Sequence, residues 1–419
     1  MLYAMHDLRQ RVLAPVFANA RLASSLISHP ANPLSYTPQV RMMNAGLEVM
    51  QSLWEERKKP EWGIEQISMD GKTYPVIQEV VEDKEFCQLL KFHIPSRRKP
   101  RKILVLAPLS GHFSTLLRDT VKRLLQDSEV YITDWKDAKH VPLDAGRFGL
   151  EDYLGYIIDF LTRIEPINDK IGGGVHAMAV CQPAPLLLAA VAILNARKSV
   201  VTPRSMILMG GPVDTKASPT LVTQLAENRP LSWFKQHNIH TVPRHFAGEG
   251  RAVYPGFMQL RAFWSMNPAR HNMAHWNMFQ HLVRGDGDNA DKTRDFYDEY
   301  MAVLDVTEEF FIETIDHIFQ RRTLISGNMD YQGEKLDCKA ITHTALLTIE
   351  GELDDISAPG QTLAAHAMCP NIPAHHKHHL LVDKVGHYGI FNGRRWRTQI
   401  APKIIDFMDV IDKDFNQKV

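Results

Sequence analysis

The sequence predicts an α/β fold with a mostly parallel, doubly wound sheet, and two observations carry this prediction. Between residues 102 and 212, short apolar runs alternate with helical stretches, which is typical of parallel strands joined by right-handed crossovers. The run at 103–107 is unbroken, as expected for a strand that is buried on both faces. The strand pattern then stops and returns only near residues 345 and 378, so a long segment is inserted between strands of one sheet.

The beginning of the chain has the periodicity of two amphipathic helices. Leu2, Met5, Leu8, Val12 and Val16 recur at helical spacing, and a second apolar stripe covers residues 39–54 after a proline-rich connection. We predict a helical N-terminal extension over residues 1–65 whose apolar face packs on the main domain. The alternative is that this face binds an apolar surface.

The remaining elements follow in order along the chain. Residues 74–81 and 85–92 form a predicted hairpin. Further strands are predicted at 103–107, 130–133, 175–180, 205–209, 345–349 and 378–382, and helices at 116–125, 150–161, 186–196 and about 395–410. Residues 214–336 are aromatic-rich and contain no convincing buried strand, so we expect a helical cap or lid there. The core is therefore predicted in two parts, 66–213 and 337–419.

Residues 175–185 have the layout of a nucleophile elbow. An apolar strand runs into Cys181, and a buried helix follows, which is how α/β-hydrolases present their nucleophile. The usual Gly-x-Ser-x-Gly is replaced by Ala179, Cys181 and Pro183, so the nucleophile is a thiol without flanking glycines. The alternative is a small buried core residue, the commoner state of a cysteine. If Cys181 is the nucleophile, we expect it in a strained backbone conformation.

An acid and a histidine follow two later strands, in the chain order of α/β-hydrolase triads. Asp354 comes after the strand at 345–349, and Gly386-His387 after the strand at 378–382. Each candidate lies at the carboxyl end of its strand, where open α/β sheets bind ligands. Asp354 is preferred because it stands two residues before the aliphatic Ile356, with Asp355 as the rival.

The predicted chemistry is nucleophilic attack on an ester carbonyl, giving an acyl-thioester. The dipole of the following helix and an imidazolium at His387 would favour the thiolate of Cys181. The backbone N–H of Gln182 is one expected oxyanion donor, and Leu109 or Ser110 in the loop after the strand at 103–107 supplies the second. Ser110 is a weak rival nucleophile, since no elbow-type helix begins there.

Composition and motifs exclude several other classes of function. The 48 basic and 48 acidic residues cancel, so no basic field favours nucleic acid. The longest apolar run, 186–196, is too short to span a bilayer, and the charges scattered through residues 1–28 are unlike a secretory signal. Four cysteines without a Cys-x-x-Cys pair predict reducing, cytoplasmic surroundings. No nucleotide-binding glycine motif is present, and His271, His275 and His281 lack a metal-site pattern, so we expect neither cofactor nor metal.

With these residues in place, the chain resembles the intracellular poly(3-hydroxybutyrate) depolymerases of bacteria. The matching stretches include Ala107-Pro-Leu-Ser-Gly-His112, Val180-Cys-Gln-Pro183, Val253-Tyr-Pro-Gly-Phe257, Glu350-Gly-Glu-Leu-Asp-Asp-Ile-Ser357 and Gly386-His-Tyr-Gly-Ile-Phe391. They are spread over nearly the whole chain, and Val-Cys-Gln-Pro is specific because it replaces the general elbow pattern.

The resemblance implies a cysteine-triad α/β-hydrolase that acts on amorphous storage polymer in cytoplasmic granules. Cys181 would be the nucleophile, Asp354 the acid and His387 the base. The acyl group would pass to water, giving 3-hydroxybutyrate and oligomers, or to coenzyme A. The related polyhydroxyalkanoate synthases carry Gly-x-Cys-x-Gly, which is absent here, and this favours degradation. A synthase-like acyltransferase and a non-catalytic granule-binding protein stay as alternatives.

Overall fold

A computed structural model describes most of the 419 residues. The description leaves out Met1, Ser28, Pro30, Glu55, Arg98, Lys99, residues 165–173, Lys418 and Val419. No helix in the described part of the chain is long and apolar enough to cross a bilayer.

Two α-helices begin the chain, others flank the strands of the sheet, and others form most of the insertion. They are α1 Leu2–Ile27, α2 Pro38–Trp54, α3 Arg118–Leu124, α4 Leu150–Ile164, α5 Ala184–Ala196, α6 Leu221–Asn228, α7 Leu231–Asn238, α8 Gly256–Met266, α9 Pro268–Arg284, α10 Gly287–Tyr300, α11 Glu308–Thr314, α12 Ala365–Met368, α13 Gly393–Arg395 and α14 Ala401–Gln417.

In the described part of the chain, the strands fall into one large sheet and three small ones. They are β1 Gln66–Met69, β2 Lys72–Pro75, β3 Ile77–Asp83, β4 Cys87–His93, β5 Arg101–Leu106, β6 Ser128–Trp135, β7 Val175–Val180, β8 Ser205–Met209, β9 His240–Thr241, β10 Ala252–Tyr254, β11 Val306–Thr307, β12 Asp330–Tyr331, β13 Glu334–Lys335, β14 Ala345–Gly351 and β15 Lys377–Val382.

The central sheet has eight strands in the order β15-β14-β8-β7-β5-β6-β4-β3. The six strands from β15 to β6 are parallel, and β4 and β3 continue the sheet in antiparallel fashion. The neighbours β7, β8 and β14 bring the ends of three strands side by side. This order and the helices between the strands are those of the α/β-hydrolase fold, and the predicted fold class is confirmed.

Burial explains why the central strands are apolar without alternation. Every residue of β7 and β8 is buried, as expected where helices cover both faces of a parallel sheet. Helix α5 is apolar on all sides, and its residues from Ala184 to Leu194 are all buried. A helix that is apolar all round belongs to a core. The element that follows Cys181 is therefore held rigidly in the centre of the molecule.

Two predictions from the sequence are corrected by the structure. The apolar stripe of α1 does not pack on the domain: Leu8, Val12 and Val16 are 62%, 60% and 56% exposed, and Tyr3 and Phe17 on the opposite face are buried instead. The insertion is also not purely helical, because β9, β10 and β11 form a small antiparallel sheet within it. These strands have two or three residues each, too few for a period-2 pattern to appear in the sequence.

Candidate active site

Cys181 lies at the turn between β7 and α5, in a backbone conformation that side chains rarely adopt. Its φ is +65°, in the left-handed region, so the predicted strain at this position is confirmed. The backbone N–H of Cys181 donates to the Met209 carbonyl at 2.7 Å, which ties the turn to the end of β8. Cys181 is half-buried, whereas Cys87, Cys338 and Cys369 are buried, and all four are free thiols.

The space for this turn comes from glycines on the neighbouring strand rather than in the elbow itself. A Cβ on Gly211 would lie 2.1 Å from the Ala184 Cβ and 2.8 Å from the Cys181 carbonyl oxygen. A Cβ on Gly210, whose φ is +54°, would lie 2.6 Å from the Ile390 side chain. The Gly-Gly pair after β8 therefore takes the role of the glycines that flank the nucleophile in Gly-x-Ser-x-Gly.

His387 and Asp354 meet at the ends of β15 and β14. His387 Nδ1 lies 2.7 Å from Asp354 Oδ2, and both residues are buried. The second oxygen, Asp354 Oδ1, accepts the backbone N–H groups of Ile356 at 2.9 Å and Ser357 at 2.8 Å. Asp354 is thus fixed by the turn that follows it, while Asp355 is exposed. The geometry favours Asp354 over Asp355 as the partner of His387.

A buried glutamate anchors the loop behind this pair. The Glu350 carboxylate accepts the backbone N–H groups of Gly360 at 2.9 Å, Thr362 at 2.7 Å and Leu363 at 2.9 Å. Three charge-assisted hydrogen bonds satisfy a carboxylate that is only 1% exposed. Glu350 therefore orders the loop after β14 that carries Asp354.

Two opposing effects act on the pKa of His387. Burial lowers the pKa, since it disfavours the imidazolium, but the Asp354 carboxylate and Cys181 raise it through their charges and through hydrogen bonds to the ring. The balance holds the pKa of His387 well above its usual value. The site therefore favours a charged imidazole between the carboxylate and the sulfur, an arrangement that can transfer a proton to a leaving group.

The loop after β5 reaches the elbow through the side chain of Gln182. The Leu109 backbone N–H donates to Gln182 Oε1 at 3.3 Å, while Gln182 Nε2 is buried without a partner. Ser110 follows Leu109 and is half-buried. The structure thus joins Leu109 to the residue that follows Cys181, but the Leu109 N–H already has an acceptor. The sequence cannot reveal this contact, because it joins residues 73 positions apart.

His112 belongs to the same loop and was not among the predicted site residues. Its ring is 3% exposed and lies beside the rings of Tyr388 and Tyr300, with centroid distances of 6.3 and 4.9 Å. Its Nε2 is buried without a partner. His112 is part of the Ala107–His112 stretch that the sequence analysis singled out. Only the tertiary structure places its imidazole beside Tyr388, the residue after His387.

The histidines of the insertion take protein partners. His271 Nδ1 lies 3.0 Å from the Tyr297 hydroxyl, His275 Nδ1 lies 2.9 Å from the His271 carbonyl, and His281 Nδ1 lies 3.0 Å from Asp286.

A different group of three potential metal ligands lies at the start of β15. The ligand atoms of His375, His376 and Asp414 lie within 4.8 Å of one another. His387 follows the other end of β15, so this group is separate from the Cys181 site.

The comparison with protein families gives a match in the C-terminal half of the chain. The family model described as the PHB de-polymerase C-terminus matches residues 210–412. The resemblance to poly(3-hydroxybutyrate) depolymerases is confirmed. The matched segment contains the insertion, Asp354 and His387, and Cys181 precedes it. No curated protein matches the sequence.

Solved structures resemble the chain only distantly. An esterase from Thermogutta terrifontis has 9% identity and a TM-score of 0.41, covering 83% of this chain and 97% of its own. A monoacylglycerol lipase from Paleococcus ferrophilus has 11% identity and a TM-score of 0.45, covering 80% of this chain and 99% of its own.

Proposed function

We propose that the protein is an intracellular depolymerase that cleaves the ester bonds of poly(3-hydroxybutyrate) through Cys181, His387 and Asp354. The observation that carries the proposal is the buried 2.7 Å contact between His387 and Asp354, with Cys181 at a strained turn and contributing to the raised pKa of the same imidazole. The family match over residues 210–412 supports ester hydrolysis, and it supports the polymer as substrate.

In the proposed reaction the sulfur of Cys181 attacks the ester carbonyl carbon as a thiolate. The C–O bond to the leaving chain then breaks, and the imidazolium of His387 gives its proton to the departing alkoxide. This leaves an acyl-thioester and a neutral imidazole. In the second half, His387 takes a proton from water, or from the thiol of coenzyme A, as that nucleophile attacks the thioester. Asp354 keeps Nδ1 protonated, so that Nε2 exchanges the proton in both halves.

The proposed oxyanion donors are the backbone N–H of Gln182 and one from Leu109 or Ser110. Because the Leu109 N–H donates to Gln182 Oε1, a developing oxyanion would compete with a neutral amide oxygen for this donor. An ionised acceptor forms the stronger hydrogen bond. Leu109 can therefore serve the transition state by exchanging its partner, whereas the N–H of Gln182 is part of the elbow itself.

We propose that the exposed stripe of α1 contacts the polymer granule in the cytoplasm. Leu2, Met5, Leu8, Val12 and Val16 lie on one face of this 26-residue helix and are all exposed. A continuous apolar stripe in water is typical of an interaction surface. An amorphous polyester offers an apolar partner of indefinite extent, which an elongated helix can cover.

The decisive test is product analysis from amorphous poly(3-hydroxybutyrate) granules, with and without coenzyme A. Wild-type protein should release 3-hydroxybutyrate and oligomers, and coenzyme A thioesters should appear if the thiol is the acceptor. Cys181→Ala should reduce release by at least about 10⁴-fold because no nucleophile remains. Cys338→Ala, a buried cysteine outside the site, should retain activity.

Three outcomes would contradict the proposal. Undiminished release by a folded Cys181→Ala protein would exclude the thiol as nucleophile. Polymer growth from 3-hydroxybutyryl-coenzyme A would favour a synthase-like acyltransferase. Granule binding by wild type without any ester turnover would favour a non-catalytic granule-binding protein.

A further inference from the structure

The loop between β5 and α3 places one imidazole between the core and the insertion. The backbone of His112 pairs with Val303 as an isolated antiparallel bridge, and the Gly111 carbonyl accepts the Leu304 N–H at 2.7 Å. The His112 ring lies 5.1 Å from the Phe263 ring and 4.9 Å from the Tyr300 ring, both in the insertion. This side chain is therefore held on two sides by residues of the insertion.

His112 also lies close to the residues of the proposed reaction. Its ring centroid is 6.3 Å from that of Tyr388, and the Tyr388 ring is 5.7 Å from the His387 ring. The charge of His387 contributes to lowering the pKa of His112. In the same loop, Leu109 contacts Gln182, the residue after the nucleophile. His112 is thus connected to the Cys181 site in two ways, through the Tyr388 ring to His387 and through its own loop to Gln182.

One ring nitrogen of His112, Nε2, is buried without a partner. A neutral imidazole carries a single proton, so one of its two nitrogens is an acceptor. Burial lowers the pKa of His112 to about 4, so the ring is neutral at pH 7. A neutral ring protonated at Nδ1 presents Nε2 as a bare acceptor.

A buried acceptor requires a donor, and a polyester chain offers very few. The carbonyl and ester oxygens of each repeat unit only accept hydrogen bonds. The 3-hydroxyl at one end of the chain is a donor, and in the terminal unit it is attached two carbons from the carbonyl carbon. This is the one unit that can offer Nε2 a proton while its carbonyl lies at the thiol.

We propose that His112 Nε2 accepts a hydrogen bond from the free 3-hydroxyl of the terminal unit whose carbonyl Cys181 attacks. This inference rests on the proposed function. Cleavage in this binding mode removes one unit from the hydroxyl end, whereas cleavage at internal units gives oligomers. Each terminal cleavage leaves one 3-hydroxyacyl unit on Cys181, and the departing chain carries a new 3-hydroxyl terminus for the next cycle.

The test uses two soluble substrates that differ only in the hydroxyl, the 4-nitrophenyl esters of 3-hydroxybutyrate and of butyrate. The hydroxyl preference is the ratio of their kcat/KM values. His112→Phe keeps a ring of similar size but removes the acceptor, and it should lower this ratio about 3- to 30-fold, the range expected for one lost hydrogen bond to a buried group. His343→Phe, at an exposed position, should leave the ratio unchanged.

An unchanged ratio in His112→Phe would overturn the proposal, because a water-binding or purely structural role affects both esters alike. Failure of the proposed function would look different, since wild type would then release no 3-hydroxybutyrate from amorphous polymer granules, whatever the ratio for the two soluble esters. If His112→Phe does not fold, the test uses wild-type protein and two short oligomers, one with a free and one with an acetylated 3-hydroxyl terminus. Monomer release at least 3-fold faster from the free oligomers is the expected result, and equal release from both would overturn the proposal.

Discussion

The Cys181 site and helix α1 contrast in which side chains they bury. At the site, polar groups such as His387, Asp354 and Glu350 are buried and fixed by hydrogen bonds from neighbouring loops. On α1, large apolar side chains face solvent. Each arrangement opposes the usual drive to bury apolar and expose polar groups, so neither is explained by folding stability alone. The buried polar site suits the proposed ester cleavage, and the exposed apolar face of α1 suits contact with an apolar partner.

Three side chains near the beginning of α1 attach it to the rest of the protein. The Tyr3 hydroxyl donates to the buried Asp305 carboxylate. The His6 ring stacks on Phe257 at 3.8 Å. The Arg9 guanidinium lies 4.3 Å from the centre of the Trp54 ring. These contacts hold one face of the helix, so that the opposite, apolar face stays turned outward.

After loss of the nucleophile, the next largest effect is expected from the two neighbouring aspartates after β14. Asp354→Asn should reduce kcat for ester hydrolysis by about 10³- to 10⁴-fold, because the amide no longer stabilises the imidazolium or enforces the Nδ1 tautomer. Asp355→Asn, one position away but exposed, should retain activity within about 2-fold. Equal effects of the two substitutions, or a larger effect at Asp355, would contradict the assignment of Asp354.

A smaller effect, with a different readout, is expected from the stripe on α1. Replacing Leu8, Val12 and Val16 together by serine should weaken binding to amorphous polymer granules by about 10- to 100-fold, since apolar area no longer leaves water. Hydrolysis of a soluble 4-nitrophenyl ester should not change, because the stripe does not contact the site.

The matched control places three serines at exposed apolar positions outside α1. Leu221, Leu225 and Val410 are 67%, 49% and 48% exposed. Their replacement should leave granule sedimentation unchanged. If both triple variants lose granule binding equally, general surface hydrophobicity rather than the α1 stripe is responsible.

Much of the fold could be predicted because the central sheet is buried on both faces. The predicted strands at 175–180 and 205–209 coincide with β7 and β8. Every residue of these two strands is buried, so each strand appears in the sequence as an unbroken apolar run with the same ends. The order of Cys181, Asp354 and His387 along the chain could be predicted because each follows a strand. Their catalytic roles remain proposals.

The contacts between distant segments could not be predicted. Periodicity identified α1 as amphipathic, but it could not show that Tyr3 and Phe17, spaced by 14 residues on one face, are the side chains that pack. The Tyr3–Asp305 hydrogen bond joins residues 302 positions apart. The orphaned Nε2 of His112 likewise depends on Tyr300, Phe263 and Tyr388, which approach it from three separate segments.

The smallest expected effect concerns the carboxylate that anchors α1. Burial and the neighbouring charge of Asp137 raise the pKa of Asp305 to about 7. The folded state then binds a proton that the unfolded state has released over the window from about pH 4 to 7, so folding stability falls as pH rises through that window. Above pH 7 both states are ionised at this position, and the loss is complete.

Asp305→Asn should therefore make stability less dependent on pH, since an amide cannot ionise, while its oxygen can still accept the Gly256 N–H. In urea titrations at pH 5 and pH 8, the decrease in unfolding free energy should be smaller in the variant than in wild type by on the order of 1 to 2 kcal/mol. Asp144→Asn, at an exposed carboxylate, should behave as wild type. If Asp305→Asn and wild type lose the same stability between these pH values, Asp305 is ionised throughout. The attachment of α1 would then be an ordinary hydrogen bond to a carboxylate, with no dependence on pH in this range.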